Sequence, residues 1–160
     1  MTLDVTEKVK ARRQDSGLKE ADVAKKTGLS VYEYRDIEQH ANEIFTVTEL
    51  HQVKKLCEVL NFDFADLFEI RCAFCEEGQP YLQDYSLPRN ELIRKRREEM
   101  GLSREEMGDR VGFYESEIEN LETNPDHLET WPMDFIKDLS NEINAPLQVL
   151  LNVKCKKCGR

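Results

Sequence analysis

Along the first half of the chain, apolar residues recur every three or four positions within short windows. Each window closes on a glycine or a polar turn, and this spacing predicts a series of short amphipathic helices. A basic helix over residues 7–16 ends at Gly17, a residue suited to the position just past a helix. Residues 20–27 follow, with Val23 and Ala24 facing inward and Gly28 as the stop. Ser30 is a good N-cap, and Glu33 three residues later completes a capping box. A helix is therefore predicted through Gln39, with Tyr34 and Ile37 on its core face. Residues 48–60 carry Leu50, Val53, Leu56, Cys57 and Leu60 at helical spacing, and residues 62–68 supply a last short helix. No segment shows strand-type alternation, so the predicted fold class is all-α.

The second half repeats this plan. Residues 10–39 and 94–123, offset by 84, share seven identities in 30 positions: Arg12/Arg96, Arg13/Arg97, Gly17/Gly101, Leu18/Leu102, Gly28/Gly112, Glu33/Glu117 and Glu38/Glu122. Further on the offset becomes 83, which superposes Leu56 on Leu139, Asn61 on Asn144, Cys72 on Cys155 and Cys75 on Cys158. One deletion in a loop accounts for the shift. The expected organisation is a first helical domain over residues 1–75, a linker over 76–90 with one Gly and two Pro, and a second helical domain over 91–160. Trp131 is expected to begin the long helix of the second repeat as a core anchor, with Pro132 in an N1-like place.

Two short helices joined by a tight turn containing glycine form a helix-turn-helix pattern. With Leu18, Ala24, Gly28, Ser30, Tyr34, Ile37 and Glu38, residues 18–38 resemble the Cro/C1-type (Xre-type) helix-turn-helix family. Leu102, Gly108, Gly112, Ile118, Leu121 and Glu122 carry the same resemblance in the second repeat. The resemblance implies two tandem lambda-repressor-like domains, with structural Arg13–Glu38 and Arg97–Glu122 pairs. It also implies that the first residues of each recognition helix enter a major groove of double-stranded DNA. The base contacts then fall to Ser30, Val31, Tyr32 and Arg35, and phosphate contacts to Lys19, Lys25 and Lys26. Arg104 and Ser116 are the corresponding candidates in the second repeat. Glu20 stands where the family commonly has Gln, and a carboxylate there repels phosphate.

Charge narrows this picture. The chain of 160 residues carries a formal net charge of −9, and both halves share it, at −5 and −4. A protein that coats DNA without sequence preference is normally basic, so any DNA contact must come from a local basic face. In the second repeat, Glu115, Glu117 and Glu119 crowd the start of the recognition helix, and Glu115 and Glu119 face outward. Two function classes follow. The first is a sequence-specific DNA-binding transcriptional regulator. The alternative is an interaction adaptor or antitoxin-like protein whose acidic second repeat binds a protein partner. A monomeric pseudo-dimer and a homodimer are both compatible with the repeat. No nucleophile elbow, phosphate loop, dinucleotide fingerprint or HExxH motif occurs, so an enzyme is not expected. No apolar run approaches the roughly 20 residues of a membrane span, and the N-terminal sequence lacks a signal-peptide core, so a cytoplasmic protein with no membrane partner is expected.

The cysteines add separate chemistry. Cys72-Ala-Phe-Cys75 and Cys155-Lys-Lys-Cys158 are two CxxC pairs, a spacing that lets two thiolates chelate one ion from a tight turn. They are separated by 79 intervening residues, too far for a compact zinc ribbon, but each pair ends one repeat. The expected site is a single structural Zn²⁺ held by all four thiolates, clasping the ends of the two domains, with Lys156 and Lys157 offsetting part of its charge. A metal shared between two chains is the main variant, and an iron–sulfur cluster, which also takes four cysteines, is less expected. Structural disulfides and a thioredoxin-like redox pair rank lower, because the expected compartment is reducing and no βα context is present. Cys57 is expected to be a buried thiol, and His40, His51 and His127 lack metal-ligand spacing to either pair.

Overall fold

The computed structural model describes residues 4–75 and 84–160. All regular elements among them are helical, apart from one isolated bridge. The first half runs α1 (Val5–Asp15), α2 (Glu20–Thr27), α3 (Val31–Gln39), α4 (Glu43–Thr46), α5 (Leu50–Val59) and α6 (Phe64–Leu67). A 3₁₀ turn, Asp84–Ser86, precedes α7 (Arg89–Glu99), α8 (Arg104–Val111) and α9 (Glu115–Thr123). A second 3₁₀ turn, His127–Thr130, leads to α10 (Met133–Glu142) and α11 (Leu147–Leu151). Of the expected organisation, residues 1–3 and linker residues 76–83 lie outside the described residues. Helix α7 begins at Arg89, just before the expected start of the second repeat. Among the described residues no helix is long and apolar enough to cross a membrane.

Local chemistry sets the helix boundaries. Ser30 accepts from the Glu33 amide while the Glu33 carboxylate accepts from the Ser30 amide, so the predicted capping box opens α3. Gly28 and Gly112 end α2 and α8 at φ of 77° and 80°, left-handed values that carry little steric cost only in glycine. Helix α6 is shorter than expected because Asp63 caps it, accepting from the Asp66 amide at 2.9 Å. Helix α10 also differs from expectation. Pro132 is its N-cap with extended backbone, and the helix begins at Met133. The Trp131 carbonyl accepts from the Leu50 amide at 2.9 Å, which holds this stretch extended beside the start of α5. Trp131 is otherwise the expected anchor, buried and stacked on Phe113 with ring centroids 4.2 Å apart.

The contacts between the halves obey a twofold exchange. Helix α4 packs on α10, and its counterpart, the 3₁₀ turn His127–Thr130, packs on α5. Glu49 and Pro132 occupy equivalent positions, and they pair with each other in the isolated antiparallel bridge. A contact between a residue and its own counterpart lies on the symmetry axis of an isologous interface. The buried apolar residues of both halves form one cluster, including Ile44, Leu50 and Val53 from the first and Leu128, Met133 and Ile136 from the second. Burial of these side chains from water, at roughly 25 cal/mol per Å² of apolar surface, is the main attraction between the halves.

Candidate metal centre and helix faces

Beyond α6 and α11, each half ends in a loop carrying its two cysteines. The loops meet at the same end of the molecule, and the four sulfurs lie within 4.8 Å of one another. Cys72 Sγ is 3.6 Å from Cys158 Sγ, and Cys75 Sγ is 3.7 Å from Cys155 Sγ. The twofold exchange maps the first of these contacts onto the second. A tetrahedral ion with metal–sulfur bonds of about 2.3 Å requires sulfur–sulfur edges of about 3.8 Å, so the spacing and the donor set fit one ion. None of the four cysteines forms a disulfide. The backbone amides of Cys158 and Lys157 bring the Cys155 thiol down to about 7, the Lys157 amide donating at 3.3 Å. Hydrogen bonding to Cys72, then to Cys158 and Cys155, pushes the Cys75 thiol up to about 12.

Gln148 joins the two loops, a role that sequence reasoning missed. It is buried, and its carbonyl oxygen accepts from the Ala73 amide at 2.7 Å. Its amide nitrogen donates to the carbonyls of Val153 and Arg160, the latter at 2.9 Å. Its counterpart in the first half is Ala65. The one available signal was this mismatch, an amide inside the apolar run of α11 where the other repeat has a methyl group. Lys156 pairs with Asp66 at 3.0 Å and with Asp63 at 3.7 Å, so it bridges to the first half beside the sulfurs. Cys57 is buried as expected, and burial pushes its thiol up to about 12. His127 lies against Glu117, and His51 against Glu49 and the Glu129 carbonyl, away from the cysteine site.

On the outer face of α2 and α3, Lys19, Lys25, Lys26, Ser30 and Tyr32 are exposed and Val31 is half-buried. Tyr32 is 76% exposed, a large aromatic ring held out in water. Arg35 is engaged, its Nε donating to Glu20 Oε2 at 3.0 Å. The second half reverses this pair. Arg104 stands in place of Glu20 and Glu119 in place of Arg35, and their ion pair is conserved in space at 3.2 Å. Arg104 also donates to the buried Glu122 at 2.8 Å, so its guanidinium is committed to the protein. Ser116 is exposed, next to Glu115, and nearby Tyr114 is 87% exposed.

Both Arg–Glu pairs implied by the family resemblance form. Glu38 accepts from Arg13 Nη2 at 2.9 Å and Glu122 from Arg97 Nη2 at 3.1 Å. Comparison of the chain with family models, curated proteins and solved structures yields no match.

Proposed function

We propose that this protein is a sequence-specific DNA-binding regulator in which two helix-turn-helix units are held in fixed register by one Zn(Cys)₄ site. The observation that carries the reading is the common twofold relation. It covers the α4–α10 contact and its counterpart at α5, the Glu49–Pro132 bridge and the four sulfurs. A regulator reading two half-sites needs its two reading helices fixed relative to each other. Cys72, Cys75, Cys155 and Cys158 hold the ion. Zinc is the proposed metal because four sulfurs within 4.8 Å of one another leave room for a single centre, whereas a two-iron cluster separates its thiolates into two pairs.

The first half carries the base-reading role. Ser30, Val31, Tyr32 and Arg35 face bases, with Lys19, Lys25 and Lys26 on phosphates. Arg35 exchanges Glu20 for guanine on binding. That exchange is affordable for a half-exposed pair, which contributes about 0–1 kcal/mol. A second reading rests on the reversed pair. Glu115 and Glu119 are exposed on α9, Tyr114 stands out beside them, and Arg104 is tied to Glu122. This face suits a basic protein partner, as an adaptor or antitoxin-like protein would present.

The test is selection of genomic fragments by the purified, zinc-loaded chain at near-physiological salt. The expected result is one enriched motif. In Arg35→Ala it should relax at one base, at a cost of roughly 1–3 kcal/mol. No enrichment from folded, metal-loaded protein would refute DNA reading and leave the partner reading. An enriched motif unchanged in Arg35→Ala would remove Arg35 from the contacts.

A further inference from the structure

The two sides of the twofold axis differ around one pair of equivalent lysines, Lys54 and Lys137. On one side, Lys54 of α5 donates to Glu129 at 2.6 Å, and Arg89 adds a second bond to the same carboxylate at 2.8 Å. The Arg89 guanidinium is buried and also donates to the Leu150 carbonyl at 3.0 Å, so on this side the lysine's carboxylate partner is supplied and held by the chain itself. The twofold exchange replaces Lys54 with Lys137, Glu129 with Phe45 and Arg89 with Val5. On the second side the equivalent lysine has an aromatic residue, Phe45, at the position where its counterpart has a carboxylate, and both line one cleft.

A cleft of about 790 Å³ opens there, between the halves and beside Cys72. Its floor is apolar, made by Phe45, Phe68, Met133, Leu147 and Leu151, with Phe45 and Phe68 packed edge to face at 5.6 Å. Lys137 is exposed and lines the cleft. Arg71 is the other rim cation, and Glu69 and Asp134 are the rim carboxylates. The volume falls in the range of small-molecule sites, about 300–1,000 Å³, which are mostly apolar with a few placed polar groups.

We propose that this cleft binds a small monocarboxylic acid with an apolar body, its carboxylate taking at Lys137 the place that Glu129 takes at Lys54. The apolar body lies on Phe45, Phe68 and Leu147 and gains from leaving water. Glu69 and Asp134 disfavour dianions such as phosphate, which selects a single negative charge. The bound acid touches both halves and the first cysteine loop, so it stabilises their relative arrangement by mass action. The site is independent of DNA reading, and its test does not use DNA.

The experiment titrates the zinc-loaded full chain with 3-phenylpropionate and, in parallel, with 3-phenylpropan-1-ol, following side-chain methyl resonances by NMR. Saturable shifts at Met133, Leu147 and Leu151 are expected, with the acid binding about tenfold or more tightly than the alcohol, because only the acid makes a charge-assisted bond. Lys137→Gln, a change at an exposed position, should erase that difference. Phe45→Glu, which supplies the cleft with its own carboxylate, should abolish acid binding. Lys54→Gln on the opposite side should leave it unchanged. Absence of saturable shifts with either probe, equal binding of acid and alcohol, or unchanged acid binding in Lys137→Gln would each overturn the proposal.

Discussion

Glu38 and Glu122 are buried carboxylates on the third helix of each half, and the two halves satisfy them differently. Tyr34 donates to Glu38 at 2.7 Å. The second half has Ile118 at the tyrosine position, and Arg104 supplies the missing donor to Glu122. Burial pushes the Glu122 carboxyl up, but its bonds to Arg97 and Arg104 outweigh this and leave it below its ordinary value of 4.5. A carboxyl lowered in the folded state stabilises the protein fully above its unfolded value, and the contribution is lost as pH falls through the folded value. Stability should therefore drop below about pH 4.5, and the drop should be shallower in Glu122→Gln, which has no charge there to lose. The same variant should be less stable at neutral pH by roughly 3–5 kcal/mol, the cost of breaking one side of a buried pair. Urea melts across pH check both statements. The Arg97–Glu122 pair was legible because the repeat preserves it. The role of Arg104 was not, because it depends on a side chain reaching from a neighbouring helix to fill the place of a tyrosine hydroxyl.

At the scale of elements, α2, α3 and α5 were legible from periodicity and capping residues. Helix α4 was not, because a single turn over Glu43–Thr46 offers too few residues for a period, and Asn42 makes no side-chain cap. It nevertheless carries Ile44 and Phe45 into the contact between the halves. Helix α8 holds a second feature visible only in space. A Cβ on Gly108 would clash with the Phe113 backbone carbonyl, although its counterpart Ala24 has a methyl group. Gly to Ala inside a helix ordinarily stabilises by about 1 kcal/mol. Here Gly108→Ala should instead destabilise by roughly 1–3 kcal/mol, as overpacking does, and thermal melts should show a lowered Tm. A raised Tm would mean that the α8–α9 turn is looser than the structure has it.

For the whole molecule, the CxxC pairs were legible as two halves of one site, and the repeat located them. The axis between the halves was not legible, because it depends on which surfaces of α4, α5 and α10 meet. Because an apolar core already joins the halves, metal removal should leave helix content nearly unchanged, as circular dichroism would show. Hydrogen exchange should rise at the two cysteine loops and Tm should fall. A collapse of helicity on chelation would instead give the metal the main folding role. Whether both cysteine loops of one chain hold one ion can be read from native mass spectrometry of the purified protein. A monomer carrying a single Zn²⁺ is expected, lost in Cys72→Ser with Cys155→Ser. A folded metal-free monomer, a cluster mass, or an ion found only in a dimer of chains would contradict it.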